Sequence, residues 1–176
     1  DLLKKGGLNL KMDGEDVGEL VRWVAHDAAI YPGNSGGPRL DGEGRIVGVN
    51  EISLGLGGAI PGNLAREVSQ QIIHYGRARR SWIGIEPQPL LKGTTPPRGV
   101  LVAGVIPNSP AEKAGIEPGD VIESVDEKEV DVRHADELPL FNQTIALLPI
   151  EQPVSVRMRR GGDTIEKKVS TVEQEA

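Results

Sequence analysis

The run Pro32-Gly33-Asn34-Ser35-Gly36-Gly37-Pro38 sets one hydroxyl in the middle of a glycine-dense turn. A serine hydroxyl is a weak nucleophile by itself, and acyl-transfer sites expose it on a constrained turn beside hydrogen-bond donors. Glycine permits such a turn because it reaches positive φ and lets a second chain approach the backbone. The N–H groups of Gly33 and Ser35 would then converge on an oxygen that gains negative charge during acyl transfer. A Gly-Pro hairpin in which Ser35 is incidental is the plainer alternative for so short a motif.

Such a turn needs elements on both sides. Asp1 to Glu15 is polar and reads as a loop, and Leu20 to Ile30 alternates loosely, as a strand feeding the turn would. Arg39 to Asn50 reads as a hairpin, with Asp41-Gly42-Glu43-Gly44 as its turn and Ile46, Val47 and Val49 on the return strand. Gly55-Leu56-Gly57-Gly58 has the look of a phosphate loop, but it leads to Pro61 and has no lysine. It is expected to be a flexible loop, and no nucleotide or other cofactor is expected. Asn63 to Tyr75 predicts a helix. Leu64, Val68 and Ile72 form its apolar stripe, Asn63 is placed to cap its first turn, and Gly76 is placed to end it. Arg77, Arg79 and Arg80 follow as a solvated linker.

A second module opens at Trp82-Ile83-Gly84-Ile85. Gly99 to Val105 is a β-branched run, Ser109-Pro110-Ala111 starts a short helix, and Gly115 to Asp120 reads as a turn. Val121 to Val125 alternates as a strand. Pro139 suits the first turn of a helix running to about Leu147. Val154–Met158 and Thr164–Val169 close the module as a hairpin around Gly161-Gly162, with a frayed tail from Glu173.

Composition bounds the rest. Of 176 residues, 38% are hydrophobic and only 3% aromatic, so any core is built from Val, Ile, Leu and Ala. The 23 glycines and 13 prolines suit short strands and many turns. A net charge of −6 argues against nucleic acid as a partner. The absence of cysteine excludes disulfides and cysteine-ligated metals, and no metal site is expected. No apolar run reaches the eighteen or so residues that span a bilayer.

With its flanks, His26-Asp27-Ala28-Ala29-Ile30-Tyr31 before and Arg45-Ile46-Val47-Gly48-Val49-Asn50 after, the serine turn resembles the HtrA family (DegP/DegQ-like) of trypsin-fold serine proteases. In that family a D-A-A-I-x-P-G-N-S-G-G-P run carries the nucleophile. The likeness continues through Ala59-Ile60-Pro61, and Ser109 to Ile122 closely resembles the S-P-A-x-x-A-G-I-x-P-G-D-V-I run of bacterial PDZ domains. The resemblance implies a mainly β fold with short helices, the C-terminal part of a trypsin-like β-barrel followed by a PDZ domain. Its expected boundaries are 1–76 for the protease part, 77–80 for the linker, 81–172 for the PDZ domain and 173–176 for the tail.

By the family pattern Ser35 is the nucleophile of an endopeptidase acting in protein quality control, with Gly33 and Ser35 supplying the oxyanion amides. Ala29 and Gly58 line the substrate pocket. Ala29 has no carboxylate for a basic side chain, which implies small or medium apolar preference. Trp82-Ile83-Gly84-Ile85 is the loop that takes a peptide's C-terminal carboxylate, with Ile83 and Ile85 lining the pocket for its last side chain. Packing of Trp82 and Ile83 into the core is the alternative there. Implied partners are unfolded or peptide substrates and peptide C-termini, in a possible trimer outside the cytoplasm.

Two positions depart from the family. The residue before Ala59 is commonly aromatic there and is Gly58 here, which is expected to loosen the pocket wall. Leu90 to Arg98 is short and carries adjacent prolines. Triad partners precede the serine by a long way in this fold. His26, the one histidine before Ser35, matches the strand and not the base, and His74 and His134 fall in the exit helix and the PDZ region. The competing reading is therefore a non-catalytic PDZ peptide-binding module attached to an incomplete or inactive protease half.

Overall fold

The computed structural model describes residues 10–12, 15–53, 56–90, 93 and 98–174. The chain divides into two compact units, one ending at Ala78 and the other starting at Arg79.

In the first unit, β1 (Leu10–Met12) pairs antiparallel with β2 (Glu15–Val17), a short ribbon in a region expected to be loop. Four strands then form an antiparallel sheet: β3 (Val24–His26), β4 (Pro38–Leu40), β5 (Ile46–Ser53) and β6 (Gly57–Pro61), in the order β3-β6-β5-β4. The long strand expected over Leu20 to Ile30 is only three residues of pairing. The β4–β5 hairpin closes at Asp41, whose Oδ1 accepts from the N–H groups of Glu43 and Arg45 at 2.9 Å each. The Arg45 N–H, followed by its guanidinium, holds the Asp41 carboxyl below the ordinary aspartate range.

Gly57 and Gly58 lie in β6 and are buried, so this part of the glycine run is strand and not loop; Gly55 lies outside the described residues. Neighbouring side chains explain the glycines. A β-carbon at Gly57 would sit 2.2 Å from His26 Cε1, and one at Gly58 would sit 2.8 Å from Ile52 Cγ1. The helix α1 (Gly62–Tyr75) follows β6 directly, with Pro61 at its N-cap and no side-chain cap. Asn63 therefore falls inside the first turn, too late to cap it. Gly76 ends the helix at φ 75°, donating its N–H to Ile72 O at 2.8 Å. Only Leu64 of the apolar stripe is buried, while Ile72 is half exposed.

The second unit starts with β7 (Ser81–Trp82), β8 (Ile85–Gln88) and β9 (Val100–Val105), then α2 (Pro110–Ala114). It continues with β10 (Val121–Val125), β11 (Lys128–Glu129), a 3₁₀ turn (Ala135–Glu137) and α3 (Leu138–Ala146). It closes with β12 (Pro153–Arg160), β13 (Asp163–Ser170) and β14 (Val172–Glu173). The main sheet runs β13-β12-β10-β9-β8, with β11 paired to β10, so β8 is an edge. Gly161 and Gly162 both take positive φ, as a two-residue hairpin requires. The core gathers Val100, Val102, Ile122, Val156 and Met158 from the strands with Ile83 from the β7–β8 loop and Phe141 and Ile145 from α3. The tail does not fray at Glu173. There β14 pairs with β7, Arg79 bonds Glu173 at 2.9 Å, and Gln174 N–H donates to Arg80 O at 2.8 Å.

One polar cluster is set into this core. Asp120 is 1% exposed and receives Arg160 in a two-point pair, Nε to Oδ1 at 2.7 Å and Nη2 to Oδ2 at 2.8 Å. Arg160 also reaches Glu117 Oε1 at 2.7 Å and Gly115 O at 2.8 Å, locking the turn after α2. The Asp120 hydrogen bond raises the Arg160 pKa further above its ordinary value. Removing one member of a buried pair leaves the other unpaired. Arg160→Met should lower the stability of this unit, because it leaves the buried Asp120 carboxylate without its partner. Adding Asp120→Asn should recover most of that loss. Urea titration followed by Trp82 fluorescence in a Trp23→Phe background measures both, and equal stability of Arg160→Met and the parent would refute the assignment.

Candidate functional site

The serine sits on two consecutive four-residue turns. In the first, Pro32 and Gly33 are central and Asn34 N–H donates to Tyr31 O at 2.9 Å. In the second, Ser35 and Gly36 are central and Gly37 N–H donates to Asn34 O at 3.0 Å. Gly33 and Gly36 take φ of 98° and 80°, which a β-carbon would oppose. The Asn34 side chain closes the first turn by accepting from Tyr31 N–H at 2.8 Å. The far end is stitched to β5, with Gly36 N–H on Asn50 O at 2.8 Å and Asn50 N–H on Gly37 O at 2.9 Å.

This bonding uses the carbonyls of Tyr31 and Asn34 and leaves two donors over. Among the described residues, neither the Gly33 nor the Ser35 N–H has a main-chain acceptor. Ser35 is exposed, and its hydroxyl donates to Glu51 O at 3.3 Å. Glu51 lies at the irregularity of β5 between Asn50 and Ile52, and its carboxylate accepts from Trp23 Nε1. One residue thus steadies the serine through its carbonyl and a tryptophan through its side chain. Sequence reasoning missed Glu51, since no local pattern marks a bulge residue sixteen positions from the serine.

Ala29 is exposed on the approach to the turn, whereas Gly58 is buried in β6. Ile52, directly across the strand from Gly58, fills the room that a larger side chain there would occupy. No histidine bonds the Ser35 hydroxyl among the described residues. His26 packs on Gly57 with both ring nitrogens buried and unpartnered, and His74 stacks edge-on against Tyr75 on α1. His134 caps the 3₁₀ turn before α3 in the other unit.

In the second unit, Trp82-Ile83-Gly84-Ile85 bridges β7 and the edge strand β8. Its carbonyls are tied inward. Gly84 O accepts from Ile106 N–H at 2.9 Å and from the Ser109 hydroxyl at 3.3 Å, and Ile83 O accepts from Ala111 N–H at 2.8 Å. The Ile83 and Gly84 N–H groups have no main-chain acceptor among the described residues. They form a small donor array at the mouth of an edge strand. Ile83 is 1% exposed and belongs to the core, so its side chain packs inward and what it offers a ligand is its amide. Trp82 and Ile85 are half-buried. The helix α3 packs near β7 and leaves Leu140 exposed.

A serine turn with spare amides on a β-sheet unit, followed by a sheet whose open edge begins at a second donor array, defines a class: a protease-like unit joined to a peptide-recognition module. The family model of the PDZ domain matches residues 81–171, and the chain belongs to that family. It is 36% identical over 162 residues to a probable periplasmic serine endoprotease, DegP-like, of Hahella chejuensis, covering 85% of this chain and 34% of that protein. With the serine protease Do-like HtrA of Bacillus subtilis it shares 33% identity over 174 residues, 88% of this chain and 38% of the relative. Among solved structures, HtrA-type protease AlgW with tripeptide matches with a TM-score of 0.73 and 32% identity, over 97% of this chain and 58% of that one. The serine endoprotease from Yersinia pestis matches with a TM-score of 0.62 and 30% identity, over 87% and 52%. The chain's homologues are thus HtrA-type serine proteases, mainly β with short helices. It spans about a third of the length of these two curated relatives. No helix among the described residues is long and apolar enough to cross a membrane.

Gly84 is the position where the loop tolerates least. Its φ is 83°, and a β-carbon would meet Ser109 Cβ at 2.2 Å. Gly84→Ala should cost about 1–2 kcal/mol from the left-handed backbone alone, with a further loss from the Ser109 contact. Ser109→Gly relieves that contact but also removes the α2 cap and the hydroxyl bond to Gly84 O, so the double variant should lose less stability than the sum of the two single variants. Denaturant titration of Gly84→Ala, Ser109→Gly and the double variant against the parent isolates that coupling, and an unchanged midpoint for Gly84→Ala would contradict the assigned geometry.

Proposed function

We propose that this chain carries the nucleophile turn and the peptide-capture module of an HtrA-type serine endopeptidase that degrades misfolded proteins. The observation that carries the reading is the pair of spare amides on either side of Asn34, on the same turn as the exposed Ser35 hydroxyl. Ser35 attacks the scissile carbonyl and the developing oxyanion settles on the Gly33 and Ser35 N–H groups. Removing one donor of this kind costs roughly 10²–10³ in kcat. Proton acceptance falls to a histidine oriented by a carboxylate, in the length of the relatives that this chain does not span. Ala29, uncharged near the turn, favours small or medium apolar side chains.

The PDZ unit takes the C-terminal end of a peptide. The ligand adds to β8 as a strand, and its carboxylate rests on the Ile83 and Gly84 amides. The solved relatives AlgW with tripeptide and AlgW with decapeptide support a peptide as the ligand class. The relatives named periplasmic support a place outside the cytoplasm, and the family resemblance supports a trimer.

Two measurements test the reading. In a protein that joins this chain to the length its relatives have beyond it, a fluorophosphonate should label Ser35, and Ser35→Ala should abolish labelling without changing the melting temperature. Labelling that survives Ser35→Ala would place the nucleophile elsewhere. A valine-ended peptide should bind the chain, and its C-terminally amidated twin should bind at least about tenfold more weakly, as loss of a charge-assisted contact implies. Equal binding of the two would remove carboxylate capture.

A further inference from the structure

The edge strand β8 has fewer hydrogen bonds to offer than its length suggests, and the direction of its backbone is fixed at two points. Ile106 N–H donates to Gly84 O at 2.9 Å, which turns Gly84 toward β9 and leaves Ile85, one residue on, facing the open side. Pro87 stands opposite Val102, and Val102 is already committed on its other side. Its N–H donates to Asp120 O at 2.9 Å and its carbonyl accepts from Gly119 N–H at 2.8 Å. The main-chain groups of Pro87 therefore face the open side as well. The irregularity between Glu86 and Pro87 skips Ala103 of β9, so the alternation along β8 is unbroken. The open edge thus presents a donor and an acceptor at Ile85 but only an acceptor at Pro87, since proline has no N–H. Pro89 adds no donor, and Leu90 N–H is taken by Val132 O at 2.9 Å.

We infer that this groove reads the last three residues of a peptide and nothing upstream of them, with Pro87 setting the limit. The inference rests on carboxylate capture by the Ile83–Ile85 loop. A ligand strand antiparallel to β8 with its carboxylate on that loop sets its last residue opposite Ile85 and its third-from-last opposite Pro87. Both ligand residues donate N–H groups, to Ile85 O and Pro87 O. The carbonyl of the third-from-last residue meets the proline ring where a donor would stand, and it keeps its water instead. Extending the ladder would strip that water from an unpaired carbonyl, which costs as much as a further hydrogen bond gains. The fitting partner is a chain end with three extended residues and no ordered segment before them, such as the new terminus left by cleavage of an unfolded protein.

The experiment measures binding of acetylated peptides to the 176-residue chain. A valine-ended decapeptide and the tripeptide of its last three residues should bind within about twofold of each other. Pro87→Ala and Pro87→Val each restore the donor and should tighten the decapeptide about three- to tenfold, the net effect of one hydrogen bond. A decapeptide whose amide between the third-from-last and next residue is replaced by an (E)-alkene should bind the parent chain as the unmodified peptide does. It should gain nothing from Pro87→Ala. A gain in affinity cannot come from misfolding, so the variants report on the donor itself. A decapeptide more than about tenfold tighter than the tripeptide on the parent chain, or an alkene that weakens binding there, overturns the inference while leaving carboxylate capture intact. Binding that is absent, or that ignores amidation of the C-terminus, removes carboxylate capture and the inference with it.

Discussion

Main chain can offer donors on one side only if its carbonyls are anchored on the other. Both candidate sites are built on this constraint. Around Ser35, the Tyr31 and Asn34 carbonyls are bonded inside their turns and the amides of Gly33 and Ser35 are left over. Around Gly84, the carbonyls of Ile83 and Gly84 are held by Ala111, Ile106 and Ser109, and again the amides are spare. Positive φ at Gly33, Gly36 and Gly84 makes each arrangement possible, because it turns a peptide plane that an L side chain would hold the other way. In each case a neighbouring element anchors the loop: β5 for the serine turn, α2 for the other.

The short helix α2 shows how much this anchoring asks of five residues. Ser109 caps it by accepting from Glu112 N–H at 3.2 Å and also donates its hydroxyl to Gly84 O. Pro110 fills the first helical position and Gly115 ends the helix at φ 78°. Beyond it, Asp120 and Arg160 fix the turn that carries the chain into β10. A helix this short has little stability of its own. Its place depends on polar contacts at both ends, and the loop at Gly84 depends on its place.

How far the sequence revealed this follows from the range of each interaction. The serine turn, the β4–β5 hairpin, the Gly161-Gly162 turn and the cap at Ser109 are local, and their residue types announce them. The N-terminus of α1 was misjudged because Pro61 runs β6 straight into the helix, making a cap at Asn63 impossible. Gly57 and Gly58 looked like loop because the side chains that explain them, His26 and Ile52, come from other strands. Glu51 and the Asp120–Arg160 pair depend on cross-strand register, which no local window contains. The pairing of β14 with β7 joins residues some ninety apart and was likewise invisible.

That pairing has a further consequence. Ser81 lies directly opposite Glu173, so the residue by which the chain enters the PDZ unit and the residue by which it leaves are neighbours on one ribbon. A module whose entry and exit adjoin can be spliced into a host chain as a cassette, since the host's two cut ends need not be drawn apart. The loop-closure entropy of such a graft is small. The same adjacency permits circular permutation with a linker of a few residues, and it means that two such modules in series would hang from the chain like beads on a thread instead of lengthening it by their own diameter.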